Sequence, residues 1–341
     1  MSLTDLRTFV WGLPKAELHV HQIGSASPRI VAELAARSSA TPVPADPEML
    51  AGYFAFTDFA HFIEVYLSVV DLVRTTEDVR MLTYEVARDM HSQQIRYAEL
   101  TCTPYTSVVR GIRAEAFCEA IEDARAAAER DFGLMLRWCF DIPGELGLPA
   151  AAATARIACE LQPAGLVSLG LGGPEIGVPR AQFKPYFEQA RAIGLHSAPH
   201  AGETTGPETI WAAIDELGAE RIGHGTSATS DPRLVERLVS SGIALEVCPT
   251  SNVATGAVTR LADHPVKGMH SAGIVVTVNS DDPPMFGTTL NQEYTVVAEL
   301  LGLDETGVAA LARNAVRAAF TEDGFKQQLL DEIDNYLIRS S

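Results

Sequence analysis

The sequence predicts one parallel (β/α)8 barrel, and three observations carry that prediction. Eight short apolar runs are spaced along the chain, and most are separated by stretches of helix-forming residues. Several runs are apolar at nearly every position, as in strands that helices cover on their outer side. Ionisable side chains gather at the C-terminal ends of these runs, the rim where a barrel collects its functional groups. Strand–helix alternation favours a parallel sheet, and eight units in 341 residues favour a closed barrel over an open one. No linker, repeat or low-complexity stretch divides 1–341, so a single domain is expected.

Taken in order, the candidate strands are Ala16–His21, Ile95–Cys102, Leu134–Ile142, Gly165–Gly173, His196–Gly202, Arg221–Gly225, Ala244–Pro249 and Val275–Asp281. Between them Ala114–Arg130 is rich in Ala, Glu and Arg, and Pro207–Leu217 reads as a crossover helix. Asp231–Ser240 reads as another, with Asp231 as N-cap and Pro232 just inside. The stretch from 22 to 94 is far longer than the ~2–6 residues of an ordinary βα loop. It is expected to be a helical insertion after the first strand, placed at the barrel mouth as a lid. Phe54, Phe56, Phe59, Phe62 and Tyr66 within it can line or cover a pocket, although packing is the plainer reading of any single ring and the lid is expected of the segment as a whole.

Composition narrows the function. With 26 Lys+Arg against 44 Asp+Glu the net charge is −18, which repels phosphate backbones and anionic lipid. Neither nucleic acid nor a membrane is expected as a partner, and no apolar run reaches the ~20 residues of a membrane span. The start, MSLTDLRTFVWGLPK, lacks the basic and apolar regions of a signal peptide. Five cysteines without a C-x-x-C pair suit reduced thiols, and a cytoplasmic location is expected. No pattern specifies an oligomeric state.

The first strand ends Glu17-Leu18-His19-Val20-His21, and the period of two puts both imidazoles on one face. H-x-H alone is a weak signal, but other strand ends add His200 with Glu203, His224, and the pair Asp281-Asp282. Imidazole nitrogens with a carboxylate suit Zn²⁺ and leave room for water. Walker A, H-E-x-x-H and G-x-S-x-G motifs are absent from the sequence. Gly170 to Gly173 is a poor dinucleotide loop because Glu175 replaces the last glycine, but it permits close approach of a ligand to the backbone.

In order and spacing, LPKAELHVH, LGGPE, HAGE, RIGHGT, LEVCPTSN and NSDDPPMF resemble the adenosine deaminase family of the amidohydrolase superfamily, from Leu13 to beyond Asn291. The resemblance implies hydrolysis of the 6-amino group of an adenine ring, with one zinc ion per chain. It implies His19, His21, His200 and Asp281 as metal ligands, and Glu203, His224 and Asp281 as the catalytic set. Within that set Glu203 is the proton donor, with its pKa raised by burial, and His224 the water-orienting base. Gly173 and Asp282 are implied as purine contacts. Ile23 and the lid rings, Phe59 and Phe62 among them, are expected on the substrate's 5′ side and suit an apolar or aryl extension there.

Ile23 stands where many members carry an aspartate for the ribose 5′-hydroxyl, and Thr101 where many carry arginine. LHVHxxGSASPRI, GGPEIGVPR and SDDPPMFGT are similar to the branch that deaminates aminodeoxyfutalosine in menaquinone biosynthesis, whose nucleoside carries a carboxyphenyl arm at its 5′ end. Arg180 and Lys184 are candidates for that carboxylate. Adenosine, 5′-methylthioadenosine and adenine remain alternative substrates. A different zinc hydrolase and a non-catalytic barrel remain alternative functions. Glu17 and Glu99 are expected to form ion pairs below the site.

Overall fold

Helix α1 (Leu3–Gly12) leads into strand β1 (Lys15–His21), which is buried along its first six residues. The buried Lys15 ammonium donates to the carbonyls of Val10 at 2.8 Å and Leu13 at 2.5 Å, satisfying groups that the helix end leaves free. β1 pairs in parallel with β2 (Ile95–Cys102), β2 with β3 (Met135–Pro143), β3 with β4 (Leu166–Gly172), and β4 with the short β5 (His196–Ser197). Parallel pairing continues through β6 (His200–Ala201), β7 (Arg221–His224), β8 (Ala244–Val247) and β9 (Val276–Val278). β5 and β6 are halves of the one strand expected at 196–202; Pro199 between them has no N–H for the ladder.

Closure comes where Val20 bridges Asp281 in parallel and the His21 N–H donates to the Asp281 carbonyl at 2.9 Å. The computed structural model, which describes residues 3–38 and 41–340, is therefore a closed (β/α)8 barrel.

Two strands end earlier than the apolar pattern suggests. β9 stops at Val278 because the Asn279 side chain takes over the pairing, its Oδ1 accepting from the N–H groups of Leu18 at 2.9 Å and His19 at 3.1 Å. β8 stops at Val247, and Pro249 instead opens the helix Pro249–Ala254. The expected helix at 114–130 runs to Phe132 and is ended by Gly133 at φ 65°. Asp231 caps Pro232–Ser241 by accepting from the N–H groups of Arg233 and Leu234.

Residues 22–94 carry α2 (Pro28–Ala36), α3 (Pro47–Tyr53), α4 (Phe59–Val70) and α5 (Thr76–Ser92). α5 opens with a Thr75–Asp78 capping box and lies against Ala114–Phe132, where Tyr84 donates to Asp131 at 3.0 Å. α4 presents Phe59, Phe62 and Tyr66 at helical spacing towards the C-terminal ends of the strands.

Arg221 is buried inside the barrel between Glu99 and Glu246, with its Nε 2.6 Å from Glu246 Oε1. Glu99 thus has the ion pair expected of it. Glu17 does not; it accepts from the Ser280 N–H at 3.1 Å and from the Ser280 hydroxyl. Among the described residues, no helix is long and apolar enough to cross a membrane.

Candidate active site

Four imidazoles meet at the C-terminal rim of the barrel. Ring centroids of His19 lie 4.4 Å from His200, 4.7 Å from His224 and 5.7 Å from His21. Asp281 closes the group, with Oδ1 3.2 Å from His21 Nε2 and 3.6 Å from His19 Nε2, and Oδ2 3.9 Å from His224 Nε2. The backbone is bent to bring them there: His224 (φ 61°) and Asp281 (φ 66°) occupy the left-handed region, which non-glycine residues rarely adopt. Bare glycines give the room. A Cβ on Gly223 would stand 2.7 Å from His19 Cε1, and one on Gly24 would overlap the Asp282 carboxyl.

Two of the imidazoles, His19 and His224, have a buried partner behind them. His19 Nδ1 donates to Glu246 Oε2 at 3.1 Å, which turns its Nε2 to the cluster. Burial lowers the pKa of this ring, but Asp281 and Glu246 outweigh it and push it up to about 10, so a metal at Nε2 takes the place of a proton. Behind His224 the hydrogen bonds run in one direction only. The Val266 N–H can only donate, and it does so to His264 Nδ1 at 3.1 Å. The neutral His264 ring therefore carries its hydrogen on Nε2 and donates to Asn252 Oδ1 at 3.2 Å. That turns the Asn252 Nδ2 donor towards His224 Nδ1 at 3.0 Å, leaving the His224 hydrogen on Nε2, which faces Glu203 and Asp281. Ser251 donates to Asp281 Oδ2. Glu246, Ser251, Asn252 and His264 were not singled out in the sequence; only LEVCPTSN, as a motif, touched three of them.

A cavity opens from this cluster towards α4. It is lined by His21, Gly173, Glu203, Asp282, Phe59 and Phe62, and further by Tyr66, Asp141, Glu145 and Phe286. Phe62 packs against Phe286 with centroids 5.0 Å apart. Of the other expected aromatics, Phe56 packs behind Phe62 at 5.2 Å, and Phe54 is buried in the core.

A family model described as "Adenosine deaminase" matches residues 14–336. The chain belongs to the adenosine deaminase family. It is 66% identical over 334 residues to the aminodeoxyfutalosine deaminase of Streptomyces coelicolor, covering 97% of this chain and 86% of that one. Among solved structures, an adenine deaminase from Arthrobacter aurescens superposes with a TM-score of 0.91 at 31% identity, covering 96% of this chain and 100% of the other. An amidohydrolase from Burkholderia ambifaria with bound Zn gives a TM-score of 0.90 at 25% identity, covering 98% and 94%.

The adenosine deaminase family is metal-dependent, and the residues at the rim fit a metal ion. Ligand atoms of His19, His200, His224 and Asp281 lie within 4.8 Å of one another, and a second set joins His21, Asp281 and Asp282. His19 Nε2 and His200 Nδ1 are buried without a hydrogen-bond partner. Burial, with His19 and His224 adding, holds His200 well below the usual imidazole range, and burial with His19 pushes His224 down to about 3. Both rings are thus neutral, as a metal requires of His200, while His224 keeps its hydrogen on Nε2. Burial works against charge on Asp281, but the His19 and His21 imidazoles beside it outweigh burial and hold its carboxyl well below the usual range. Burial, with Asp281 and Glu175 adding, pushes Glu203 up to about 8. Burial also raises Asp282, with His21 opposing and Asp281 reinforcing.

Three expected contacts lie elsewhere. Arg180 is buried, its Nη2 donates to Glu175 at 3.2 Å, and it does not line the cavity. That pair shapes the site indirectly, because Glu175 also accepts from the N–H groups of Gly202, Thr204 and Thr205, which flank Glu203. Lys184 is bound to Glu216 on the outer surface at 3.0 Å. Ile23 is 9% exposed in the hydrophobic core and is not part of the cavity wall. Its apolar side chain finds better burial behind the rim than in the cavity.

Proposed function

We propose that the chain hydrolyses the 6-amino group of aminodeoxyfutalosine, releasing ammonia. The observation that carries the chemistry is the placement of Glu203, protonated by burial, 3.6 Å from His224 at the edge of the His–Asp cluster. The substrate rests on the 66% identical relative of that name and on the aromatic wall formed by Phe59, Phe62, Tyr66 and Phe286. In this reading His19, His21, His200 and Asp281 hold one zinc ion, which when bound supplies the Lewis acidity that makes water a nucleophile near neutral pH.

The chain's own groups do the rest. His224 donates from Nε2 and so holds the attacking oxygen in line with C6, while Asp281 takes a proton from it. Attack there sends electron density to N1, and Glu203 delivers the proton that N1 then needs. The C6–amine bond then breaks: the amine leaves as ammonia with the proton held by Asp281, and the new hydroxyl returns one to Glu203 as it becomes the carbonyl. Protonated Asp282 donates to N7, and the Gly173 N–H reaches N3. The rings of α4 and Phe286 cover the base and keep bulk water out, which strengthens each of these contacts.

Metal content and ammonia release test the reading together, with aminodeoxyfutalosine, adenosine, 5′-methylthioadenosine and adenine as substrates. One zinc per chain and a clear lead for aminodeoxyfutalosine are expected. Equal or better turnover of adenosine would overturn the substrate. Full activity in protein free of transition metal would overturn the site.

A further inference from the structure

Asp141, on β3, is 4% exposed, and its Oδ1 has no hydrogen-bond partner. Every other deeply buried carboxylate used above is engaged: Glu99 and Glu246 by Arg221, Glu175 by Arg180, Glu17 by Ser280, and Asp281 by Ser251. Only Asp282 shares the condition, and it faces the same cavity. Leaving a buried carboxylate oxygen unpartnered is unfavourable, so such a group marks a place where a ligand supplies the donor.

The fold also keeps space for this side chain. Asp141 pairs with Gly170 across β3 and β4. A Cβ on Gly170 would stand 2.9 Å from Asp141 Oδ1, and one on Gly172 would stand 2.6 Å from Oδ2. The alternating glycines thus hold open a pocket for a carboxylate beside Gly173.

Its position on the ligand follows from the purine itself. If the Gly173 N–H meets N3, the wall around Gly172 faces the edge of the base where C4 joins N9, which bears the sugar. Glu203 and His224 face the opposite, C6 end. A carboxylate accepts only, and the 2′- and 3′-hydroxyls of ribose are two adjacent donors that match its two oxygens.

We propose that Asp141 binds the ribose, accepting both secondary hydroxyls, and thereby makes the site specific for a ribonucleoside. This rests on the deaminase reading above. It also accounts for how the chain holds a sugar although Ile23 offers no acceptor after the histidine pair.

The test is a set of kcat/KM values for aminodeoxyfutalosine and its 2′-deoxy, 3′-deoxy and 2′,3′-dideoxy forms, measured with the wild type, Asp141→Ala and Asp141→Asn. Wild type is expected to lose roughly 10- to 100-fold for each hydroxyl removed, the worth of a charge-assisted hydrogen bond. Asp141→Ala should be indifferent to the hydroxyls and match wild type on the dideoxy form. Asp141→Asn keeps the shape and one acceptor, so it should retain sensitivity to a single hydroxyl; it also carries the test if the alanine variant fails to fold. Equal loss on all four compounds, or a wild type blind to the hydroxyls, overturns the proposal. A wild type that releases ammonia from none of them overturns the deaminase reading and this inference with it.

Discussion

Replacing Glu246 by glutamine removes one charge and no volume, yet it confronts two donors with a single acceptor. Glu246 Oε2 accepts from His19 Nδ1 at 3.1 Å and Oε1 accepts from Arg221 Nε at 2.6 Å. The amide has one oxygen, and its NH₂ must face one of those donors. A hydrogen bond to a charged group is worth about 1.5–3 kcal/mol, against about 0.5–1.5 kcal/mol for a neutral pair. The oxygen therefore goes to Arg221, and the NH₂ meets His19. The ring then leaves Nδ1–H unsatisfied, costing about 1–3 kcal/mol, or moves its hydrogen to Nε2 and loses the lone pair aimed at the cluster. Loss of such a partner lowers metal affinity by ~10–100-fold. Competition with a chelator of known zinc affinity measures the effect, with thermal unfolding of the metal-free protein recorded beside it. A folded variant that binds zinc within twofold of wild type would refute the reasoning.

Glu203→Gln keeps the hydrogen-bonding shape but has no proton to give; kcat should fall by ~10²–10⁴-fold with zinc content unchanged, as turnover and elemental analysis will show. Because Glu203 must begin protonated and is pushed up to about 8, kcat/KM should be level below that pH and decline above it. A profile still level well above pH 8 would count against Glu203 as the donor. Asn252→Asp places an acceptor-only group 3.0 Å from His224 Nδ1, drawing the ring hydrogen there. The ¹⁵N spectrum of labelled histidine should show the change of tautomer, with kcat falling ~10–100-fold. Ile23→Asp puts a carboxylate into the core; a large drop in melting temperature and no gain of adenosine turnover are expected.

The strand-end groups were legible because the period of two and the apolar runs place His19, His21, His200, His224 and Asp281 on one rim without knowledge of any contact. What stayed hidden depends on pairings across the chain. Glu246 sits inside an apolar strand pattern, and nothing local says that it reaches His19, 227 residues away. His264 lies in a loop and acts only through Asn252. Arg180 was misread for the opposite reason. Five residues after Glu175, it looks like a free cation beside the fourth strand, and only the fold shows it buried, turned to Glu175 and away from the cavity. Ile23 was misplaced because the chain leaves β1 in a turn, where alternation no longer tells inside from outside.

The glycines opposite the cavity carboxylates also set the order in which substitutions can accumulate. A methyl group at position 24 would overlap the Asp282 carboxyl, so that position stays closed for as long as Asp282 serves the chemistry. Position 172 is different, because the methyl group would stand 2.6 Å from Asp141 Oδ2 and nothing else nearby is as tight. Gly172→Ala becomes acceptable once Asp141 has been shortened, and not before. A lineage that gives up its sugar contact can then fill the vacated space with alanine. From that point a return to aspartate at 141 meets the new methyl group, and the two changes would have to be undone in reverse. The barrel wall acts as a ratchet on its own history.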